Sequence, residues 1–529
     1  MKRYIRPQAG LFACAVLFSL LAGGLAVLVQ FTKGQLLDQA LAGLGGETLR
    51  FVLKLFGLIA FEIICYHLFD RFRGRYFVRA RAQLRADFFA AQLRKTPPQM
   101  LDKKQGDILA AYTDQIDLAA NSFLFNLPLL LDVLLKIILV SAALFLFDPR
   151  VAALTLMLLT TPLYVPKLIE GRLQKAQKAS TAAFQEHLGK VAEWLKGFEL
   201  IANYGAQRPI MGLFMRSNRH VQEKDYAMRK MGYIARSLTT LLSYLSHFFI
   251  LAFSAWLVLE GSFTAGRFFI AVGMIDQLSY PIISISRYLQ EITAARPVTK
   301  DLLAQIDAPA AADLPRADPD QPADIRFHNL SFAYPQGESI LKGFTLHVAA
   351  GEKCLITGPS GGGKTTLMNL LLGYYQPDAG RLSIGGAAAD RVKSPSELIT
   401  ILRQDPTLFN DTLRNNLSLY QPLSDAAMIA MLKSLNLQRF ASPGGLDSLI
   451  LEGGHNLSGG ERKRICLART LLRQSPILIL DEPLANVDPQ TAEDIAQLIA
   501  GLKGRTLFVI SHQHSPAWAC AFNRRVNLG

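Results

Sequence analysis

Apolar residues gather in long runs over the first half of the chain and in short, strand-length runs over the second. The long runs occupy residues 9–31, 51–69, 123–147, 151–169, 238–259 and 268–285. Each is close to the ~20 residues a helix needs to cross the hydrocarbon of a bilayer, so six spans are predicted. Between them lie two long stretches, 70–122 and about 167–237, of mixed charge, good helix formers and few breakers. These read as helical extensions of the spans into water. Beyond residue 306 the pattern changes: Pro309, Pro315, Pro319 and Pro322 stand among alanines and aspartates, the composition of a semi-rigid linker. The expected division is a membrane domain over 1–306, a linker over 307–323 and a second domain over 324–529.

Charge placement gives the expected orientation. Lys2, Arg3 and Arg6 precede the first run, and Arg71, Arg73, Arg75, Arg79, Arg81 and Arg85 follow the second, whereas the connections at 32–50, 148–150 and 260–266 hold few cations. The excess of Lys and Arg on cytoplasmic loops then puts the N-terminus, both long loops and the second domain in the cytoplasm, as in a bacterial inner or plasma membrane. The net charge of +14 is accounted for by topology and contact with anionic lipid, and no nucleic-acid partner is implied. Because apolarity continues past Ala22-Gly23-Gly24, the N-terminus reads as a retained span and not as a cleaved signal. Five cysteines show no paired spacing, which argues against a disulfide framework or a zinc site.

The second domain carries the candidate chemistry. Gly358-Pro359-Ser360-Gly361-Gly362-Gly363-Lys364-Thr365 fits G-x-x-x-x-G-K-[ST] and stands between an apolar strand at 353–357 and an apolar helix beginning at Thr366. In such a loop, unpaired backbone N–H groups at a helix start surround phosphate oxygens. Lys364 then reaches the β- and γ-phosphates and the Thr365 hydroxyl takes a place on Mg²⁺. Ile477-Leu478-Ile479-Leu480 reads as a buried parallel strand ending in Asp481-Glu482, two carboxylates at the edge where open α/β sheets bind ligands. Asp481 suits Mg²⁺ and Glu482 suits polarisation of an attacking water, since phosphoryl transfer asks mainly for positioning and charge stabilisation.

With Leu457-Ser458-Gly459-Gly460-Glu461 lying between these motifs, residues 324–529 resemble the nucleotide-binding domain of ABC transporters, and 1–306 resemble the exporter-type ABC membrane domain. The resemblance implies a membrane α-helical domain of six transmembrane helices followed by an α/β P-loop NTPase domain, with ATP and Mg²⁺ as cofactors. It implies that Ser458, Gly459 and Gly460 contact the γ-phosphate of ATP held by an opposite subunit. Gln404 would link Mg²⁺ and water to the membrane domain, His512 would touch the γ-phosphate, Tyr334 would stack on adenine, and Asp488 would be the D-loop aspartate. The chain departs from the pattern at Glu461, where glutamine is usual, and over 449–454. A short coupling helix is expected within 197–207, and an outer turn at 261–266.

One copy cannot complete a shared site, so the implied unit is a dimer with a second half-transporter, either a homodimer or a heterodimer. The implied activity is ATP-driven export of a hydrophobic or amphipathic small molecule or peptide. Lipid flipping, or uptake of a small ligand such as a metal chelate, is the alternative. Ionisable residues inside spans are costly and face the interior of a bundle, which singles out Glu62, Asp132, Lys136, His247 and Asp276. Asp132 and Lys136 are four apart and could instead satisfy each other.

Overall fold

The computed structural model describes residues 1–43, 45–95, 97–101, 105–161, 165–308, 324–334, 339–359, 361–388, 398–511, 518, 521–522 and 524–528; the side chains of 45–47, 98, 101, 105, 165–170 and 286 fall outside the description. The chain divides into two compact units, 1–93 with 104–308, and 94–103 with 309–529. The expected linker lies outside the described residues apart from Asp307 and Ala308.

The first unit is helical throughout: α1 (Ala9–Leu41), α2 (Gly45–Leu93), α3 (Asn126–Phe147), α4 (Pro149–Leu159), α5 (Val165–Lys196), α6 (Phe198–Asn203), α7 (Gln207–Leu259) and α8 (Ala265–Asp307). Among the described residues, five helices are long and apolar enough to span a membrane, at 2–41, 48–93, 106–147, 207–259 and 265–307. The expected fourth span is described only in part. Asp148 starts α4 by accepting from the Arg150 and Val151 N–H groups, and the helix ends after 11 residues at Leu159, shortly before Pro162. Outward-facing Phe56, Ile63, Ile138 and Leu146 are between 63% and 87% exposed, an apolar surface that lipid, not water, would tolerate.

Helices α1 and α8 approach to backbone contact because glycines face each other. A Cβ on Gly34 would fall 2.5 Å from the Gly266 carbonyl oxygen, and one on Gly266 would fall 2.2 Å from that of Gly34. Without lipid–helix hydrophobic contrast, such close packing is a main source of helix association in a bilayer. Polar groups finish the joint. Asp38 accepts from the Gly266 N–H (2.7 Å) and the Thr264 hydroxyl (2.8 Å), while Thr264 itself caps α8 through Arg267 N–H. The long expected loops are helical: α2 continues past its apolar stretch to Leu93, and α5 and α7 flank the short α6. Phe198, Leu200 and Tyr204, on and just after α6, are 64–80% exposed.

The second unit contains two sheets. One is antiparallel, with β1 (Ile325–Ala333) between β2 (Ser339–Val348) and β4 (Ala379–Ile384), and β5 (Ala387–Ala388) at its edge. The other is parallel, in the order β6 (Ile399–Leu402), β7 (Ile477–Asp481), β8 (Thr506–Ile510), β3 (Lys353–Thr357), β9 (Arg524–Asn527). Ile477 to Leu480 are fully buried, as expected for a strand covered on both faces. Helices α9 (Lys364–Leu371), α10 (Gly459–Leu472) and α11 (Pro489–Ala500) carry the residues of interest.

Candidate nucleotide site

The parallel sheet brings separate motifs to one edge. The loop from Gly358 leaves the C-terminal end of β3, Gln404 follows β6 by two residues, Asp481 ends β7, and Ser511, next to His512, follows β8. In this sheet β7 pairs with β6 and β8, and β8 pairs with β3, so all four exits are adjacent. Ligands of open α/β sheets bind outside such strand ends. Ser360 and His512 lie outside the described residues.

Glycine is required in the phosphate loop for two distinct reasons. Gly358, Gly361 and Gly363 have φ of 145°, 85° and 88°, a region that side chains rarely enter. At Gly358 and Gly362 a Cβ would also come within 2.0 and 2.6 Å of the Leu528 carbonyl oxygen, because the segment after β9 lies against the loop. Leu528 is held there by its N–H donating to Thr357 O at 2.9 Å. The Lys364 ammonium lies within the loop, donating to the carbonyls of Gly358 and Pro359, both at 2.8 Å. Thr365 is exposed at the first turn of α9, whereas Thr366 is buried and its hydroxyl lies 3.4 Å from that of Tyr334. The Tyr334 ring packs edge-on against Phe332 and Tyr375.

Glu482 has φ of 50° and Asn486 of 63°, left-handed conformations held in non-glycine residues. Backbone strain of this kind persists only where surroundings enforce it; here the Glu482 N–H donates to Ile510 O at 2.9 Å, continuing the β7–β8 ladder through the turn. Asp488 caps α11 by accepting from the Thr491 N–H, which holds its carboxyl below the usual range. Ser458 starts α10 in a reciprocal cap. Its hydroxyl accepts from the Glu461 N–H, and the Glu461 carboxylate accepts from the Ser458 N–H at 2.9 Å and from Arg439 at 2.7 Å. Glutamate therefore serves the capping role at this position, and Arg439 balances its charge. A Cβ on Gly460 would come within 3.1 Å of Asn486 O, so the start of α10 sits against the turn that follows Glu482. No hydrogen bond joins Ser458 to the phosphate loop among the described residues.

Thr365, Gln404 and Asp481 offer only oxygen, the donor set of a hard cation such as Mg²⁺. Among the described residues, no cluster of three or more His, Cys, Asp or Glu side chains could hold a metal by itself.

Two contributors had no motif to announce them. Leu528 shapes the phosphate loop from the other end of the domain. Lys463, in the basic run Arg462-Lys463-Arg464, is buried and donates to Gln404 O at 2.7 Å. Burial pushes its ammonium below the usual lysine range, against the pull of Asp481, Asp405 and Glu482.

The family model of the ABC transporter transmembrane region matches residues 12–282, more than half the chain, and that of the ABC transporter matches 341–485. This chain belongs to the ABC transporters. The transporter is 24% identical to a putative ABC transporter ATP-binding protein of Streptococcus pneumoniae, over 97% of this chain and 89% of that one. It is 28% identical to a β-(1→2)glucan export ATP-binding/permease protein of Mesorhizobium japonicum, over 86% of this chain and 79% of that one. An ATP-dependent lipid A-core flippase of Syntrophus aciditrophicus is 37% identical over 50% of this chain and 46% of its own. A bacterial Atm1-family ABC exporter with ATP bound has the same fold, with a TM-score of 0.82 at 22% identity, covering 96% of this chain and 91% of that one. The transporter is thus a membrane protein of the exporter-type, half-transporter architecture, binds ATP, and couples its hydrolysis to transport.

Proposed function

We propose that the transporter exports a hydrophobic or amphipathic small molecule or peptide by alternating access of a dimer, a homodimer or a heterodimer with a second half-transporter. The membrane domain is residues 1–306 and the ATPase domain 324–529, with the N-terminus and ATPase domain cytoplasmic by the distribution of Lys and Arg. Lys364 and the N–H groups of the 358–366 segment bind the phosphates of ATP. Thr365, Asp481 and Gln404 hold Mg²⁺, which neutralises phosphate charge when bound. Glu482 orients the attacking water, His512 contacts the γ-phosphate, and Tyr334 lies beside the adenine. Ser458, Gly459 and Gly460 complete the partner's site, with Asp488 fixing the turn between the two. The exposed tip at α6 transmits closure to the membrane domain.

The observation that carries this reading is the convergence of Gly358, Gln404 and Asp481-Glu482 on one edge of the parallel sheet, with Glu482 in an enforced left-handed turn. Glu482→Gln should retain ATP binding while turnover falls by at least ~10², the scale for losing a catalytic positioning group. Hydrolysis at the wild-type rate in that variant overturns the assignment.

The cargo reading rests on Asp276, whose side chain is 66% exposed on an apolar helix, 3.7 Å from the half-buried His247. A carboxylate is costly in hydrocarbon, so this face borders water and cargo. Glu62, half-exposed within its own apolar helix, is the second acid of this reading. Lipid flipping is the second reading, favoured by the lipid A-core flippase among the relatives. Transfer of a labelled lipid between leaflets of reconstituted vesicles, dependent on ATP, separates it from export to the lumen.

A further inference from the structure

Helix α10 begins at Ser458 and is tied by two of its cations to the chain that follows β6. The Lys463 ammonium donates to Gln404 O at 2.7 Å, and the Arg469 guanidinium donates to Thr407 O at 3.0 Å. Leu408, next in that segment, is buried in the same core as Ile465, Leu467 and Leu471 of α10. The two side chains thus staple residues 404–407 along one helix. Their acceptors are backbone carbonyls, so Lys463 keeps its charge unneutralised by the bond it makes. The carboxylates of Asp481, Asp405 and Glu482 supply the compensation. One buried lysine thus ties the Gln404 segment, which serves its own subunit's site together with the acidic end of β7, to the helix whose Ser458 serves the partner's site.

We propose that Lys463 is a positioning residue of the nucleotide site, fixing the Gln404 backbone to the helix headed by Ser458 while its charge tempers the pull of Asp481 and Glu482 on a divalent cation. The proposal rests on the site assignment above. If α10 moves, the Gln404 backbone moves with it, so the stance of Gln404 toward cation and water is set by the position of Ser458. Because a cation within the field of Asp481 opposes binding of a second cation, removing it tightens metal binding while loosening geometry. A lysine that merely filled space would do neither.

The test uses the full chain in detergent micelles, with Mn²⁺ titrated by electron paramagnetic resonance in the presence of a non-hydrolysable ATP analogue. Lys463→Met and Lys463→Gln should bind Mn²⁺ about three- to tenfold more tightly, the scale of one well-screened charge. Turnover should fall about tenfold or more in Lys463→Met, as for a lost positioning contact, with the KM for ATP within about threefold of wild type. Lys463→Arg, which keeps a charge and a donor, should recover Mn²⁺ affinity and most of the turnover. Wild-type Mn²⁺ affinity in both uncharged variants, or an arginine variant as impaired as the methionine one, overturns the proposal. Should the methionine variant not fold, the glutamine and arginine variants carry the comparison. Glu482→Gln distinguishes the two levels: a fully active Glu482→Gln removes the site assignment itself, whereas an inactive one beside an unaffected Lys463→Met removes only the role of Lys463.

Discussion

Lys136 in the membrane domain and Lys463 in the ATPase domain are both withdrawn from water, but their partners differ in kind. Lys136 donates to Asp132 at 3.1 Å and to the Tyr66 hydroxyl, and Asp132 in turn accepts from Ser19 at 2.8 Å and Tyr66 at 3.3 Å. That set joins α1, α2 and α3 and neutralises itself. Lys463 instead bonds a neutral carbonyl, and the acids whose charge favours its own, Asp481, Asp405 and Glu482, stand by the sheet edge proposed to bind ATP. The first arrangement settles the alternative for Asp132 and Lys136 in favour of mutual pairing, leaving Asp276 and Glu62 as the acids of the proposed cargo path. A buried charge whose partners form a closed set stabilises; one whose partners have other work can be used.

Removing one member of the closed set should have the largest effect on stability. Asp132→Ala strands Lys136, and breaking a buried pair costs about 3–5 kcal/mol, to be read as a lowered unfolding midpoint in detergent. Replacing both, Asp132→Leu with Lys136→Met, should recover most of that loss. If the single and double variants are equally unstable, the set is not closed and the contrast with Lys463 fails.

A smaller effect sharpens the other side. Burial lowers the proton affinity of Lys463 in the folded state, so between that lowered value and the ordinary lysine pKa of about 10.4 the unfolded chain holds a proton the folded chain has released. Stability therefore rises with pH through that window. Lys463→Met should flatten the rise, measured as the unfolding midpoint at increasing alkalinity; an unchanged slope would show that the ammonium is not desolvated.

Arg439 marks the lower bound of what a lysine or arginine contributes here. Its side chain is 55% exposed, so losing the bond to Glu461 should cost only about 0.2–1 kcal/mol, and Glu461→Gln should remove that dependence in a double-mutant cycle. The smallest expected change is at Asp488. Its pKa is held down by the Thr491 N–H, so the cap stabilises α11 above the ordinary aspartate range and is lost as pH falls through the lowered value. The protection of the Thr491 amide, exchange corrected for its intrinsic pH dependence, should fall in acid in wild type and be low at all pH in Asp488→Ala.

What could be read from sequence alone was what is local. Gly358 to Thr365 announce a strand, a loop and a helix within a dozen residues, and the run Ile477 to Glu482 announces its own burial and its own exit. The apolar spans are legible for the same reason, since each satisfies its backbone internally. The fourth run is described only in part, and the apolar count gives no notice of Asp148, whose carboxylate starts α4 just ahead of it. Lys463 was illegible because its acceptor lies 59 residues away. In the local pattern it is one cation among three, and only the fold turns it inward. Glu461 was a departure until Arg439 and the Ser458 N–H were seen on either side of it.

The carbonyl of Leu528 that presses on Gly358 and Gly362 sets an order of events during synthesis. Residue 358 leaves the ribosome long before residue 528, yet the loop's floor is made by the later one. Until the β9 strand has been made and has docked on β3, the loop has the right letters and one missing wall. A nascent chain of this transporter should therefore acquire its nucleotide-binding surface late in translation, after the membrane helices have had time to insert, which keeps an ATP-competent domain from existing ahead of the machine it drives.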